Sequence, residues 1–208
     1  MSINEKRQEA MLASLQRLVQ YNSERGEAEE GFPFGRIPAQ ALAEALEMAG
    51  EMGFRTHNLD NYCGWAEMGE GEDIIGLVCH LDIVPAGNGW DTDPFTVTRK
   101  GDRVYGRGVS DDKGAAVASL YAMKELMDEG YPMNKRVRLL LGTNEETGSA
   151  CMQYYAKHGE PLSCGFTPDG YFPGIYGEKG MCAMTVYSKN TRIISMEGGF
   201  VTNAVCDR

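Results

Sequence analysis

One histidine and several acidic side chains recur at the same kind of place in this sequence, where an apolar run ends. His80 and Asp82 follow the apolar run at residues 74–79 in "DIIGLVCHLD". The other members are Asp111 and Asp112 in "GRGVSDDKG", Glu145 and Glu146 after "RVRLLLG", and Asp169 after "CGFT". Zinc binds imidazole nitrogen and carboxylate oxygen. One histidine among several carboxylates is too acidic a set for a structural zinc finger, and it indicates hydrolytic metal chemistry.

Two of these pairs suggest a division of roles. On an extended segment, residues two positions apart face the same side, so Asp82 can hold the imidazole of His80 and fix its tautomer. Adjacent glutamates need not point the same way. One of Glu145 and Glu146 can therefore bind the metal while the other accepts a proton from a water molecule.

Each pair taken alone also has an ordinary structural explanation. A histidine and an aspartate two residues apart are commonly a surface pair, and aspartates before a helix commonly cap it. Adjacent glutamates in a loop are usually solvated. The four groups together favour a site, whereas His57 and His158, in polar surroundings, are predicted to be surface residues. The sequence has no HExxH, GxSxG or P-loop motif.

The elements that must position these groups alternate between helix and strand. Helical periodicity covers residues 4–21, and Pro38 suits the first turn of a second helix. Two short strands are predicted in "FRTHNLDNYCGWAEMG", a central strand covered on both faces in "DIIGLVCHLDIV", and another buried strand in "RVRLLLG". Helices are predicted in "KGAAVASLYAMKELMDEG" and "SACMQYYAKHG", and shorter strands in "CGFTPDG" and "GMCAMTVYS". This alternation favours a three-layer α/β fold, in which ligand sites lie beyond the carboxyl ends of the strands.

Composition narrows the function classes. The chain has 208 residues and a net charge of -10, which argues against binding to nucleic acid or to an anionic membrane surface. No apolar run approaches the ~20 residues of a membrane span, and the charged N-terminus does not resemble a signal peptide. The six cysteines form no CxxC motif, so free thiols in a reducing compartment are expected. We predict a cytoplasmic protein.

Four stretches together resemble a known family. "HLDIVPAGNGWDTDPF", "GRGVSDDKGAAVASLYAMKEL", "GTNEETGS" and "FTPDGYFPGIYGEKG" resemble the dizinc metallopeptidases that include aminoacylase, carnosinase and glutamate carboxypeptidase. The segments "WDTDPF" and "PDGYFPGIYGEKG" look most like the bacterial dipeptidase V and Xaa-His dipeptidase-like branch. The resemblance extends over roughly residues 5–205. It implies an α/β catalytic domain with a central mixed sheet flanked by helices, and two Zn²⁺ ions in the complete family.

The resemblance also implies a role for each site residue. It assigns metal binding to His80, Asp111, Glu146 and Asp169. Asp111 corresponds to the carboxylate that bridges the two ions, and Glu146 to a ligand of the second. Glu145 corresponds to the general base and Asp82 to the acid that clamps the His80 ring. The peptide between Asp111 and Asp112 corresponds to one that is cis in the family.

The resemblance implies a truncated catalytic domain. Residues 1–188 correspond to its N-terminal part, and residues 189–208 to the beginning of a lid domain. Family members take a further histidine for the second zinc from a later segment, and this sequence has no such residue. We therefore expect one tightly held zinc or none, little or no activity of the isolated chain, and a homo-oligomer formed through exposed apolar surface.

The function that follows is zinc-dependent hydrolysis of the peptide bond in a dipeptide or other small peptide. One alternative is an amidohydrolase of the same group, a deacylase or desuccinylase that acts on another acyl group. Another alternative is a non-catalytic fragment that binds metal or a partner chain.

Overall fold

The computed structural model describes residues 5–171, residues 173–177 and the single positions 180, 184, 187 and 189. The chain divides into two compact units, Met1–Gly170 and Tyr171–Arg208. The first unit contains all the helices and strands described below. No helix among the described residues is long and apolar enough to cross a membrane. In chain order the elements are α1 (Glu5–Val19), α2 (Arg36–Glu51), β1 (Arg55–Leu59), β2 (Cys63–Met68), β3 (Ile74–His80), β4 (Thr98–Lys100), β5 (Arg103–Tyr105), α3 (Lys113–Asp128), β6 (Arg136–Gly142), α4 (Ala150–His158) and β7 (Cys164–Phe166).

Five strands form one mixed sheet in the order β1-β2-β6-β3-β7. Strand β3 pairs in parallel with β6 and with β7, whereas β2 pairs antiparallel with β1 and with β6. The central strands carry side chains into two separate cores. Leu139 and Leu141 of β6 join the core built with α1, α2 and α3, while Leu140 joins the smaller core that contains Cys151 and Tyr155 of α4. Helices therefore cover both faces, which confirms the predicted three-layer α/β fold.

The sequence did not reveal the second sheet, a two-stranded hairpin of β4 and β5. Each strand has only three residues, which is too short for a clear alternation of apolar and polar side chains. Gly101 forms the turn with a φ of +65°, a conformation that glycine adopts without strain. The strand predicted in "GMCAMTVYS" and the lid predicted at residues 189–208 lie outside the described residues, apart from positions 180, 184, 187 and 189.

The sheet order brings the ends of three strands to the same edge. Strands β6, β3 and β7 are neighbours and run parallel, so their carboxyl ends point the same way. His80, the last residue of β3, lies in register with Gly142, the last residue of β6. The loops that carry Asp82, Glu145, Glu146 and Asp169 therefore leave the sheet beside His80. Asp111 and Asp112 do not follow a strand of this sheet, because they lie in the turn between the β4–β5 hairpin and α3.

Helix α3 approaches this edge closely because its first turn contains a glycine. A Cβ atom on Gly114 would lie 1.9 Å from the carbonyl oxygen of Val109. Real Cβ atoms do not approach that closely, so any larger residue would push the helix away from the preceding turn. That turn contains Asp111 and Asp112, and the glycine thus permits the close approach of the helix to the turn that carries both acids.

Candidate metal centre

His80 lies at the centre of the acidic cluster. Its side chain is buried, and its Nε2 atom is 3.0 Å from Oδ1 of Asp111 and 3.4 Å from Oδ2 of Asp169. Two sets of residues offer ligand atoms that all lie within 4.8 Å of one another: His80 with Asp111 and Glu146, and His80 with Asp112 and Asp169. The structure therefore brings together all four residues predicted to bind metal.

The donor set suits a divalent cation. One imidazole nitrogen and several carboxylate oxygens are ligands that zinc accepts. The carboxylates stand close enough to disfavour one another's ionisation. Burial and, next, the charge of Asp111 raise the pKa of Glu146 to about 7. A cation placed among these oxygens would relieve that repulsion, so the residues fit a metal ion.

Asp82 contacts His80 as predicted, and its carboxylate also accepts hydrogen bonds from another loop. Oδ1 of Asp82 lies 3.5 Å from Nδ1 of His80, and the closer partner of that ring nitrogen is the backbone oxygen of Asp82 at 2.9 Å. The carboxylate accepts hydrogen bonds from the backbone N–H of Glu145 at 2.9 Å and of Glu146 at 3.1 Å. One buried acid thus joins the end of β3 to the loop after β6.

Asp112 was one of the acids that the sequence pattern singled out, but no role in the site was predicted for it. It occupies the N-cap position of α3, yet its side chain makes no capping hydrogen bond, so the helix-capping explanation for this acid is wrong. Its Oδ2 atom accepts a hydrogen bond of 3.0 Å from the backbone N–H of His80. Burial raises the pKa of Asp112 to about 6. The Asp111–Asp112 peptide bond is cis, as the resemblance implies.

Charge and burial act in opposite directions on His80. Burial disfavours the imidazolium, but hydrogen bonds with Asp111 and Asp82 outweigh it and raise the pKa of His80 to about 11. The same contact lowers the pKa of Asp111. In the absence of a cation, the histidine therefore holds a proton that a metal ion must displace.

The adjacent glutamates are placed differently. Glu146 belongs to one of the two ligand groups, whereas Glu145 belongs to neither and is exposed. Although Glu145 as a whole residue is exposed, its carboxyl group is partly desolvated by the surrounding protein, and this raises the pKa of the carboxyl. His57 and His158 lie on the surface as predicted, and their rings stack on Trp65 and Tyr154 at centroid distances of 4.4 and 4.2 Å.

The predicted free thiols are also found among the described cysteines. Cys63, Cys79 and Cys151 are buried and unpaired, and Cys164 is exposed and unpaired. Cys182 and Cys206 lie outside the described residues.

Residues 76–191, more than half of the chain, match the family model for peptidase family M20/M25/M40. The chain belongs to peptidase family M20. This confirms the resemblance to metallopeptidases that the motifs around His80 and Asp111 indicated. The matched range includes every residue of the acidic cluster described above.

A curated relative from Bacillus subtilis (strain 168) is named "Putative dipeptidase YtjP". It is 43% identical to this M20 chain over 178 residues, which are 85% of this chain and 38% of the relative. The chain thus spans about two fifths of that relative's length.

Solved structures of M20 peptidases share the fold. Human carnosine dipeptidase 1 matches with a TM-score of 0.66 and 20% identity, over 80% of this chain and 39% of that one. An M20 family metallo-carboxypeptidase from Sulfolobus solfataricus matches with a TM-score of 0.63 and 22% identity, over 81% of this chain and 38% of that one. At these identities the likeness establishes the architecture, a mixed sheet between layers of helices.

Proposed function

We propose that this M20 chain provides the zinc-binding catalytic residues for hydrolysis of the peptide bond in a dipeptide or other small peptide. The observation that carries the proposal is the convergence of His80, Asp111, Glu146 and Asp169 at one edge of the sheet. The identity with a dipeptidase-named relative supports the substrate class.

These four residues would hold the metal, and His80 is the residue that belongs to both ligand groups. A zinc ion held there would polarise the scissile carbonyl and lower the pKa of water. Glu145 belongs to neither ligand group of the described residues and is exposed, so it accepts the proton of the attacking water and delivers it to the leaving amine. Asp82 orients the His80 ring and the backbone of both glutamates.

Removal of metal tests the proposal. A form of the protein that hydrolyses dipeptides is treated with a chelator and assayed with a set of dipeptides. It is assayed again after zinc is added. We expect turnover to disappear with the metal and to return with zinc. His80→Gln should prevent the recovery, while the exposed His57→Gln serves as the matched control and should recover fully. Turnover that survives chelation would contradict the proposal.

Asp82→Ala should weaken zinc binding by about 10–100-fold, the usual effect of losing a partner that orients a ligand. Because the carboxylate also accepts from the amides of Glu145 and Glu146, we expect those two amides to exchange with solvent faster. Zinc titration and hydrogen exchange measure the two effects. Asp93→Ala is the control, since Asp93 also accepts two hydrogen bonds, from Phe95 and Thr96, but in an exposed loop. An equal loss of zinc affinity in Asp82→Ala and Asp93→Ala would contradict the role of Asp82.

Zinc binding should release protons. Since the pKa of His80 is raised to about 11, its proton is present at pH 8 and must leave when zinc binds. Glu146, with a pKa of about 7, should add to the release at pH 6 and contribute little at pH 8. Affinity is therefore expected to increase with pH. Calorimetry in buffers of different ionisation enthalpy measures the number of protons, and a heat of binding that does not depend on the buffer would refute this expectation.

The raised pKa of His80 also has a defined effect on stability without zinc. The folded-state value lies above the ordinary value of 6.5, so the folded chain holds this proton more tightly than the unfolded chain. The resulting stabilisation is complete below about pH 6.5 and is lost as the pH rises towards 11.

A further inference from the structure

A cavity is lined by residues close in sequence to the metal centre, although none of the ligand residues lines it. Its volume is about 390 Å³, and its walls come from the loop after β3 and from the β4–β5 hairpin. Ala86 lines it four residues after Asp82, and Arg107 lines it four residues before Asp111. Both walls are thus direct continuations of segments that carry site residues. The volume falls within the range of small-molecule sites.

Two cations line this cavity against one acid. Lys100 and Arg107 are in the wall with Asp91, and among the described residues none of the three forms an ion pair. The guanidinium of Arg107 lies 5.5 Å from the ring centroid of Trp90, and the ammonium of Lys100 lies 5.6 Å from that of Tyr105. Aromatic faces thus hold both cations. The charge of Arg107 also acts on Asp111, since it lowers the pKa of that carboxyl after the larger effect of His80.

Arg107 keeps unused hydrogen-bonding capacity. Its Nη2 atom donates to the backbone oxygens of Pro85 at 3.2 Å and Ala86 at 3.0 Å, which fixes the guanidinium against the loop. Its Nε atom is buried and has no hydrogen-bond partner among the described residues. A buried donor without a partner destabilises the structure unless a ligand or water satisfies it.

We propose that this cavity binds a carboxylate of the substrate peptide. A planar guanidinium with free N–H groups pairs well with a carboxylate, and a second cation across the cavity strengthens the preference. The assignment rests on the proposed peptidase function, because that function makes a peptide the molecule that reaches this cavity. The carboxylate is either an acidic side chain or the C-terminal group, and the chemistry of recognition is the same for both.

Three probes separate these sources. N-acetylglutamate α-amide carries only a side-chain carboxylate, N-acetylglutamine carries only an α-carboxylate, and N-acetylglutamine amide carries neither. Trp90 lines the cavity and is one of two tryptophans in the chain, so its fluorescence reports on binding. The titrations use the full chain with a chelator present, which prevents carboxylates from binding to a metal ion. Trp90→Phe should remove the response.

We expect a saturable fluorescence change with at least one carboxylate probe and none with the neutral probe. Arg107→Gln should weaken that binding by about tenfold or more, the usual effect of losing a charged hydrogen-bond donor. Lys100→Gln should weaken it less and is the second variant, because Arg107 also holds the loop. Arg103→Gln is the matched control: it makes the same charge change in the same hairpin, outside the cavity lining, and should leave binding unchanged.

Equal binding of the neutral probe would overturn the proposal, as would an absence of response to every probe up to its solubility limit. Unchanged affinity in both Arg107→Gln and Lys100→Gln would also overturn it, provided that circular dichroism shows both variants folded. The result is independent of the proposed hydrolysis, because the assay contains no metal and requires no turnover. Glu145→Gln should bind the probes normally, so failure of the peptidase proposal and failure of the carboxylate site are distinguishable.

Discussion

Replacing Glu145 by glutamine is expected to reduce peptide hydrolysis by about 10²–10⁴-fold while leaving zinc affinity nearly unchanged. The amide has almost the shape of the carboxylate but cannot accept a proton from water. The placement of the two adjacent glutamates supports this separation, since Glu146 offers a ligand atom within 4.8 Å of those of His80 and Asp111 and Glu145 belongs to no such group. Glu146→Gln should therefore weaken zinc binding directly.

The test compares turnover and zinc content in both variants, in a form of the protein that hydrolyses dipeptides. Glu72→Gln, at an exposed position remote from the ligand groups, is the control for loss of one negative charge. The assignment is wrong if Glu145→Gln keeps its activity. It is also wrong if Glu145→Gln loses zinc as severely as Glu146→Gln does.

A large effect on stability is expected at Arg138, whose guanidinium is buried in the sheet. Only 1% of the residue is exposed. Its Nε and Nη2 atoms donate to Oε2 of Glu67 at 2.8 and 2.6 Å, and its Nη1 atom donates to the hydroxyl of Tyr155 at 2.9 Å. Nη2 also donates to Glu160 at 2.7 Å, and the guanidinium lies 4.3 Å from the ring centroid of Trp65.

Arg138→Met should lower the free energy of unfolding by about 3–5 kcal/mol, because it leaves buried Glu67 with only the longer contacts to Arg55 at 3.3 Å and Arg136 at 3.8 Å. Adding Glu67→Leu to this variant should restore most of the loss, since an apolar pair of similar volume avoids the uncompensated charge. Lys124→Met is the control, because Lys124 forms an ion pair with Asp128 on the surface of α3. This substitution should lower the free energy of unfolding by less than about 1 kcal/mol. Urea denaturation measures the free energy of unfolding of the single variant, the double variant and the control. A double variant no more stable than Arg138→Met would show that the charge of Glu67 is not the cause.

The sequence predicted the elements of the site because strand ends are easy to recognise. His80, Glu146 and Asp169 each follow an apolar run, and parallel strands necessarily present their ends at one edge. The three-layer fold followed from the alternation of predicted helices and strands, and the family from the motifs around these residues.

The contacts made by Asp82 and Asp112 could not be predicted in the same way. Both acids bind backbone amides that are far away in the sequence: Asp112 that of His80, and Asp82 those of Glu145 and Glu146. Sequence patterns report which face a side chain takes but not which loop it meets. The identity of the metal, the cytoplasmic location, the homo-oligomer and the lid at residues 189–208 stay predictions.

The pairing of β3 with distant strands links metal binding to thermal stability. Ile74 pairs with Arg136, and Ile75 pairs with Cys164, so the ligand residues meet only after segments far apart in the chain have joined. An unfolded chain cannot present this set, and a cation that binds only the folded state stabilises it by mass action. At a free concentration 100 times the dissociation constant, the gain is about 2.7 kcal/mol. The melting temperature of this chain should therefore depend on the free zinc concentration of its surroundings.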